Sequence, residues 1–299
     1  MNEWYTVDPK NFATSRELDF FLRQFGPEAG RYLMSVPTEW RERVIHSFSP
    51  GTLEHKRAID TIARALKRGV LFNSSSAPNS NDGNPWIELA AECFKSKPSL
   101  MEAYIASNAE LVEAGLPEAM PVVAYDDLEL APSAQETIKA DPIEFARVCE
   151  RLVNMGHEII FVDPFLDLSR DDNYAVVSEI LRRRAVYRPT AVNFWVRASE
   201  IANPKIIEER ARDLKDQRDG RGELSVFVRA IEDTRATDRL HGRYLLTVRG
   251  AILVDQGFQR LSRNRTTHVS PVASEALGTL QRKFITGVND LKVIWSLAL

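Results

Sequence analysis

His241 and Arg243 stand two residues apart in the segment DRLHGRYLLTVRGAILVDQGF, Asp238 to Phe258. An imidazole can attack, donate or accept a proton near neutral pH. A guanidinium offers a planar fork of N–H donors that matches a phosphate or carboxylate. The apolar run after them predicts a strand over HGRYLLTV. On a strand His241, Arg243 and Leu245 share one face, and Gly242, Tyr244 and Leu246 the other. Side by side, the two polar groups form an anion clamp. The competing reading of His241 is a structural histidine satisfied within the core.

Other candidates gather around this pair. Asp163 closes the apolar run EIIFVDPFL, at the end of a buried strand where ligands collect in open α/β sheets. It reads equally as a turn residue bonding its own backbone. His268, in TTHVSP, precedes an expected helix N-terminus, a place that favours anions. It is a second imidazole for the pocket or a cap. Arg263 and Arg265, in RLSRNR, follow the segment and suit a nucleic-acid backbone. Arg182 to Arg184 read as an exposed helix face. Trp40, Trp86, Trp195 and Trp295 lie in apolar patterns and read as core.

The elements that must position these residues fall into two halves. The first reads as mainly helical. SRELDFFLRQFG takes Ser15 as N-cap and Gly26 as stop. PTEWRERVIHSF puts Trp40, Val44 and Phe48 on one face. SPGTLEHKRAIDTIARALKRGVLF puts Leu53, Ala58, Ile59, Ile62 and Leu66 on a stripe, and Gly69 ends it. NSSSAPNSNDGNP is loop, SLMEAYIASNAELVEAGL reads as helix, and MPVVAYDDLELAP has room for one short strand. The second half alternates. FARVCERLVNM, NYAVVSEILRRRAVY, PKIIEERARDLKDQR and SPVASEALGTLQRKFI read as helices, the last with Ser270 as N-cap and Pro271 in its first turn. EIIFVDPFL, TAVNFWVRA, ELSVFVRAIE, HGRYLLTV, GAILVDQGF and LKVIWSLAL read as strands. Helices alternating with buried strands predict an α/β/α sandwich with a mixed sheet. The expected division is residues 1–140, a mainly helical region, and residues 141–299, the α/β domain.

Composition narrows the function. A net charge of −3 over 299 residues excludes a uniformly basic nucleic-acid surface but leaves room for a local patch. Two cysteines, Cys93 and Cys149, form no CxxC pair and no His/Cys cluster, so neither a metal site nor a disulfide framework is expected. No cofactor motif is read. The absence of a signal pattern or a long apolar run predicts a cytoplasmic chain without a membrane span.

The H-x-R segment resembles the phospholipase D superfamily, marked by H-x-K-x4-D. The resemblance covers roughly residues 140–299: IIFVDPFL as opening strand, a helix, TAVNFWVRA, a helix, LSVFVRA, then the motif strand and a glycine-containing strand. It implies His241 as the nucleophile of a phospho-histidine intermediate and Arg243 on the phosphate oxygens, with no metal. The family's Asp position falls on Val248, and its Gly-Ser-x-Asn segment is replaced by VDQGFQ, with Gln256 as the amide candidate for substrate contact. A closer variant, H-D-R in stand-alone bacterial domains and in modules linked to MIT domains, has Asp where this chain has Gly242. Those bacterial domains occur in mobile defence cassettes, and the MIT-linked modules bind acidic lipid. The family site takes two motifs, so one motif implies a homodimer. The expected function is recognition of phosphodiesters in nucleic acid, in bacterial defence against phage or mobile elements, with a metal-independent nuclease as its enzymatic form. The alternative is a non-catalytic scaffold that recruits a protein partner, through the helical half, or acidic lipid.

Overall fold

The structure is a computed structural model that describes residues 3–27, 29–73, 85–96, 101–115, 122–125, 135–184, 190–216, 224–232, 240, 242–262, 265–287 and 291–299. The chain divides into two compact units, residues 2–133 and 134–299. Both units are α/β, as the alternation in the second half predicts.

The first unit runs β1 (Glu3–Val7), α1 (Ser15–Leu22), β2 (Arg31–Ser35), α2 (Trp40–His46), α3 (Leu53–Lys67), β3 (Leu71–Asn73), α4 (Trp86–Ser96), β4 (Ala103–Ala106), α5 (Asn108–Ala114) and β5 (Val122–Ala124). Its sheet has the order β3-β2-β1-β4-β5, and every pair in it is parallel. The mainly helical reading is therefore corrected: the helices are present, but they wrap a five-stranded sheet. A parallel sheet is covered on both faces, so its strands show no polar alternation to separate them from helix. Tyr5, Val7, Leu33 and Ile105 face α1 to α3 in one core. On the opposite face Tyr104 meets Phe94 of α4. Thr14, not Ser15, caps α1 and forms a capping box with Glu17. Along α3 the buried residues are Ala58, Thr61, Ile62 and Ala65, while Leu53 and Ile59 of the expected stripe are exposed.

The second unit runs β6 (Glu136–Lys139), α6 (Pro142–Met155), β7 (Glu158–Val162), α7 (Asp171–Arg182), β8 (Thr190–Arg197), a 3-10 turn (Ala198–Glu200), α8 (Pro204–Asp216), β9 (Leu224–Ile231), β10 (Tyr244–Leu246), β11 (Ala251–Val254), β12 (Thr266–Pro271), α9 (Ser274–Phe284) and β13 (Val293–Ala298). The sheet order is β13-β9-β8-β7-β10-β11-β12-β6. β7, β8 and β9 are parallel, and the other pairs are antiparallel, so the sheet is mixed. Ile159, Phe161, Val192, Phe194, Leu245 and Ile252 pack beneath α6, α7 and α8. Ile160, Val162, Trp195 and Leu246 pack on the other face, against Leu277 and Phe284 of α9. This is the expected α/β/α sandwich.

Three details differ from the sequence reading. β6 pairs with β12 in this sheet, so the unit starts near residue 134 and not at 141. Ser270 and Pro271 end a strand instead of opening a helix; α9 starts at Ser274 with Ala273 as its N-cap. Arg184 is not on an exposed helix face. It is buried, and its Nη1 donates to the carbonyls of Val153, at 2.6 Å, and Gly156 at the end of α6. Those are helix-terminal carbonyls that would otherwise lack a donor. Trp40, Trp86 and Trp195 are buried as expected, and Trp295 is half-buried against the second core.

Candidate anion site at the strand ends of the second sheet

β7 and β10 are antiparallel, with Val162 opposite Tyr244. One step further along, Asp163 and Arg243 come together. The ladder continues past the assigned strands on both sides: Asp163 N–H donates to Trp195 O at 3.1 Å, and Arg243 O accepts from Val254 N–H at 2.8 Å. By alternation with Phe161 and Leu245, both side chains point to the face covered by α6 to α8. They lie at the C-terminal ends of the parallel strands, where α/β sheets place ligands.

Asp163 is buried, and its carboxylate is held on three sides. Oδ1 accepts from Phe165 N–H at 2.9 Å and Oδ2 from Phe258 N–H at 3.0 Å. Arg243 Nε lies 3.8 Å from Oδ1. Burial raises the Asp163 pKa, and the two backbone N–H groups and Arg243 oppose that shift. The Arg243 guanidinium is fixed again by Nη1 donating to Asp255 O at 2.5 Å, and it lies 5.0 Å from the centre of the Phe165 ring. Its Nη2 makes no hydrogen bond among the described residues, and its side chain keeps 29 % of its exposure. Arg197, the last residue of β8, sets a second guanidinium 5.2 Å from the same ring. Gly257 closes the site. Its φ is +79°, and a Cβ there would lie 2.5 Å from Asp163 Oδ2 and 2.9 Å from Arg243 Cδ. The backbone thus packs so close to the pair that a side chain has no room.

The residues singled out from sequence are placed as follows. Arg243 is in the site, just before β10 rather than within it. His241 and Arg263 lie outside the described residues. Asp163 makes the turn bond to Phe165 and also sits beside Arg243. Each of its oxygens accepts a backbone N–H, and Oδ1 also lies beside the guanidinium. Gln256 is exposed in the turn after β11, where its N–H donates to Thr267 Oγ1 at 3.2 Å. His268 is on β12 and not at a helix N-terminus; it is exposed, with Nδ1 3.0 Å from Thr137 Oγ1. Three strand spacings separate β7 from β12, about 14 Å, so His268 does not share the Asp163–Arg243 contact. Arg265 is exposed just ahead of β12. Arg260, in the same basic stretch, is paired with Asp172 at 2.9 Å.

Val248 sits half-exposed in the turn between β10 and β11, five residues from Arg243 and past the opposite end of the strand. A carboxylate there would not reach Arg243; the carboxylate beside Arg243 is that of Asp163, one residue past β7. At Gly242 a Cβ would meet the Tyr244 ring at 1.9 Å, so the ring fills the space that a residue-242 side chain would need. Sequence reasoning missed Phe165 and Arg197. Their signal was position: each lies at or just past the C-terminal end of a buried strand, in FVDPF and NFWVR.

Among the described residues no cluster of His, Cys, Asp or Glu is arranged to hold a metal ion, and no helix is long and apolar enough to cross a membrane. The site presents a fixed, half-open guanidinium at the C-terminal ends of the central strands, an arrangement suited to an anion. No family model and no curated protein matches the chain. Among solved structures, the chain is similar at a TM-score of 0.30 and 12 % identity to TrmBL2, described as an archaeal chromatin protein with a novel mode of DNA binding. The match covers 80 % of this chain and 83 % of that one. A likeness of that degree carries no argument about function.

Proposed function

We propose that the second unit is a phospholipase D-like domain that recognises the phosphodiester backbone of nucleic acid, with Arg243 as the phosphate clamp. One observation carries the reading: a buried carboxylate and a backbone carbonyl hold the Arg243 guanidinium, while its Nη2 edge is left to an incoming anion. A pre-positioned fork loses little freedom when it binds, and its bonds to phosphate are charge-assisted. Arg197 supports the same reading by bringing a second guanidinium to the Phe165 ring. The order of elements from β7 to β11 agrees with the order that the resemblance implies. The setting that goes with it is bacterial defence against phage or mobile elements. His241 lies outside the described residues, so the proposal is confined to recognition and makes no step of hydrolysis.

Fluorescence anisotropy with labelled DNA and RNA across a salt series tests it. Binding is expected to weaken with salt and to show little sequence preference, because phosphate contacts carry no base information. Arg243→Ala is expected to cost about tenfold to a hundredfold, the worth of a charge-assisted hydrogen bond or two. Nucleic-acid binding that is absent at low salt, or that Arg243→Ala leaves unchanged, overturns the proposal and favours the scaffold reading.

A further inference from the structure

The first unit holds a second candidate site that lies outside the sequence reading. In the order β3-β2-β1-β4-β5 the chain leaves β1 through α1 towards β2, then returns through α4 to β4 on the other side. β1 and β4 therefore flank a topological switch point. Connections diverge there and leave a crevice at the C-terminal ends of the strands. A cavity of about 970 Å³ opens at that place, lined among others by Asp8, Lys10, Arg43, His46, Trp86 and Glu110. Its volume is that of a small-molecule site.

The floor is built. Asp8 follows β1 directly and is 2 % exposed. Its N–H donates to Ile105 O of β4 at 3.1 Å, and its Oδ1 accepts from Lys10 N–H at 2.7 Å. Its carboxyl hydrogen-bonds Glu110. Glu110 is placed in turn by the capping box of α5, its Oε2 accepting from Ser107 N–H at 3.1 Å and from Ser107 Oγ at 2.9 Å. Burial, then the Glu110 contact, raise the Asp8 pKa to about 7, and the Asp8 and Ser107 bonds hold Glu110 lower than an ordinary glutamate. The pair thus shares one proton, offering a donor and several acceptors together.

Around this floor the lining is mixed. Lys10, Arg43 and His46 supply cationic or donor groups, Glu88 and Glu113 add two carboxylates, and Pro85, Trp86 and Ile87 form an apolar wall. A carboxylate pair suits vicinal hydroxyls, cations suit phosphate, and the wall suits a planar heterocycle. We propose that this crevice binds a phosphorylated nucleoside, with Asp8 and Glu110 on the sugar hydroxyls and Lys10, Arg43 and His46 on the phosphate.

Isothermal titration of the full chain with adenosine monophosphate, ribose 5-phosphate, adenosine and inorganic phosphate tests this. Adenosine monophosphate is expected to bind tightest, ribose 5-phosphate more weakly, and adenosine and inorganic phosphate at least about tenfold more weakly than the monophosphate. Glu110→Gln should weaken the three sugar-containing probes about tenfold and leave inorganic phosphate unchanged. Arg43→Ala should weaken the phosphorylated probes and leave adenosine unchanged. It tests the site without touching the α5 cap, should Glu110→Gln fail to fold. The same titrations in an Arg243→Ala background, which removes any phosphate held by the clamp of the second unit, should keep the order of the four affinities and so separate the two sites. The proposal is overturned if no probe binds, if inorganic phosphate binds as tightly as adenosine monophosphate, if Arg43→Ala is without effect, or if Arg243→Ala alone abolishes binding.

Discussion

Replacing Gly257 by alanine puts a single methyl group against both members of the Asp163–Arg243 pair. The Cβ would lie 2.5 Å from Asp163 Oδ2, against 3.4 Å for ordinary contact, so the oxygen must retreat by about 0.9 Å. That oxygen accepts from Phe258 N–H at 3.0 Å in a buried setting, and the retreat breaks the bond. A lost hydrogen bond to a charged group costs about 1.5–3 kcal/mol. A non-glycine residue at φ +79° adds about 1 kcal/mol of backbone strain. Together these give about 2.5–4 kcal/mol. For a unit of this size that corresponds to a fall of roughly 5–16 °C in the melting temperature of the second unit. The same methyl meets Arg243 Cδ at 2.9 Å and Nε at 3.3 Å, so affinity for nucleic acid should fall as well, and in an Arg243→Ala background this second effect should vanish. Calorimetry gives the first quantity and anisotropy the second. Gly278 in α9 is the control. A Cβ there meets nothing within 4 Å, so alanine should stabilise by about 0.5–1 kcal/mol. A Gly257→Ala variant as stable as wild type, with unchanged binding, would refute the packing on which the site rests.

Further outcomes follow from particular contacts. Arg184→Met keeps most of the aliphatic volume but strips the Val153 and Gly156 carbonyls of their donor, and urea unfolding should report a loss of about 1–3 kcal/mol; no loss would mean that the arginine does not serve α6. Asp8 holds its proton in the native state up to about pH 7 but releases it near 3.8 when unfolded. Its contribution is full below about 3.8 and is lost as pH rises to about 7. Asp8→Asn should flatten the stability–pH profile across that window by roughly 2–4 kcal/mol, the opposite shift of Glu110 offsetting part of the full linkage; parallel profiles would contradict the shared proton. A phospholipase D-like site built from one motif per chain requires two copies, so light scattering should report a dimer at micromolar concentration. A monomer, with and without nucleic acid, would rule out a site shared between two chains.

How far the sequence was readable depended on whether a signal had a competitor. EIIFVDPFL was clear because an apolar run that short, followed by Asp-Pro, fits a buried strand far better than a helix, and β7 occupies it. SLMEAYIASNAELVEAGL misled because β4 and α5 follow one another across a single residue, and their apolar positions merge into a helical pattern. Ser107 and Glu110, three apart, were the signal that divides them. TTHVSPV misled in the opposite direction. Ser-Pro before a helix suggests an N-cap, yet Thr267 and Val269 are buried while Thr266 and His268 are exposed, the alternation of a strand. Arg184 differs from Arg182 by two positions and by falling past the helix end, where burial is set by tertiary packing alone. For the site, residue type pointed to Arg243 and Asp163, but their partnership depends on the antiparallel register of β7 and β10, eighty residues apart, which no local pattern encodes.

The Arg243 side chain can be observed directly. In a full-chain sample labelled with ¹⁵N, the Arg243 Nε–Hε resonance is assigned by its loss in Arg243→Lys. It is then followed while a short single-stranded oligonucleotide is added. A saturable shift of that resonance, with a midpoint that moves to higher oligonucleotide concentration as salt rises, is the expected result. An oligonucleotide that binds elsewhere on the chain while the Arg243 resonance stays unmoved would contradict the assignment of this guanidinium as the phosphate clamp.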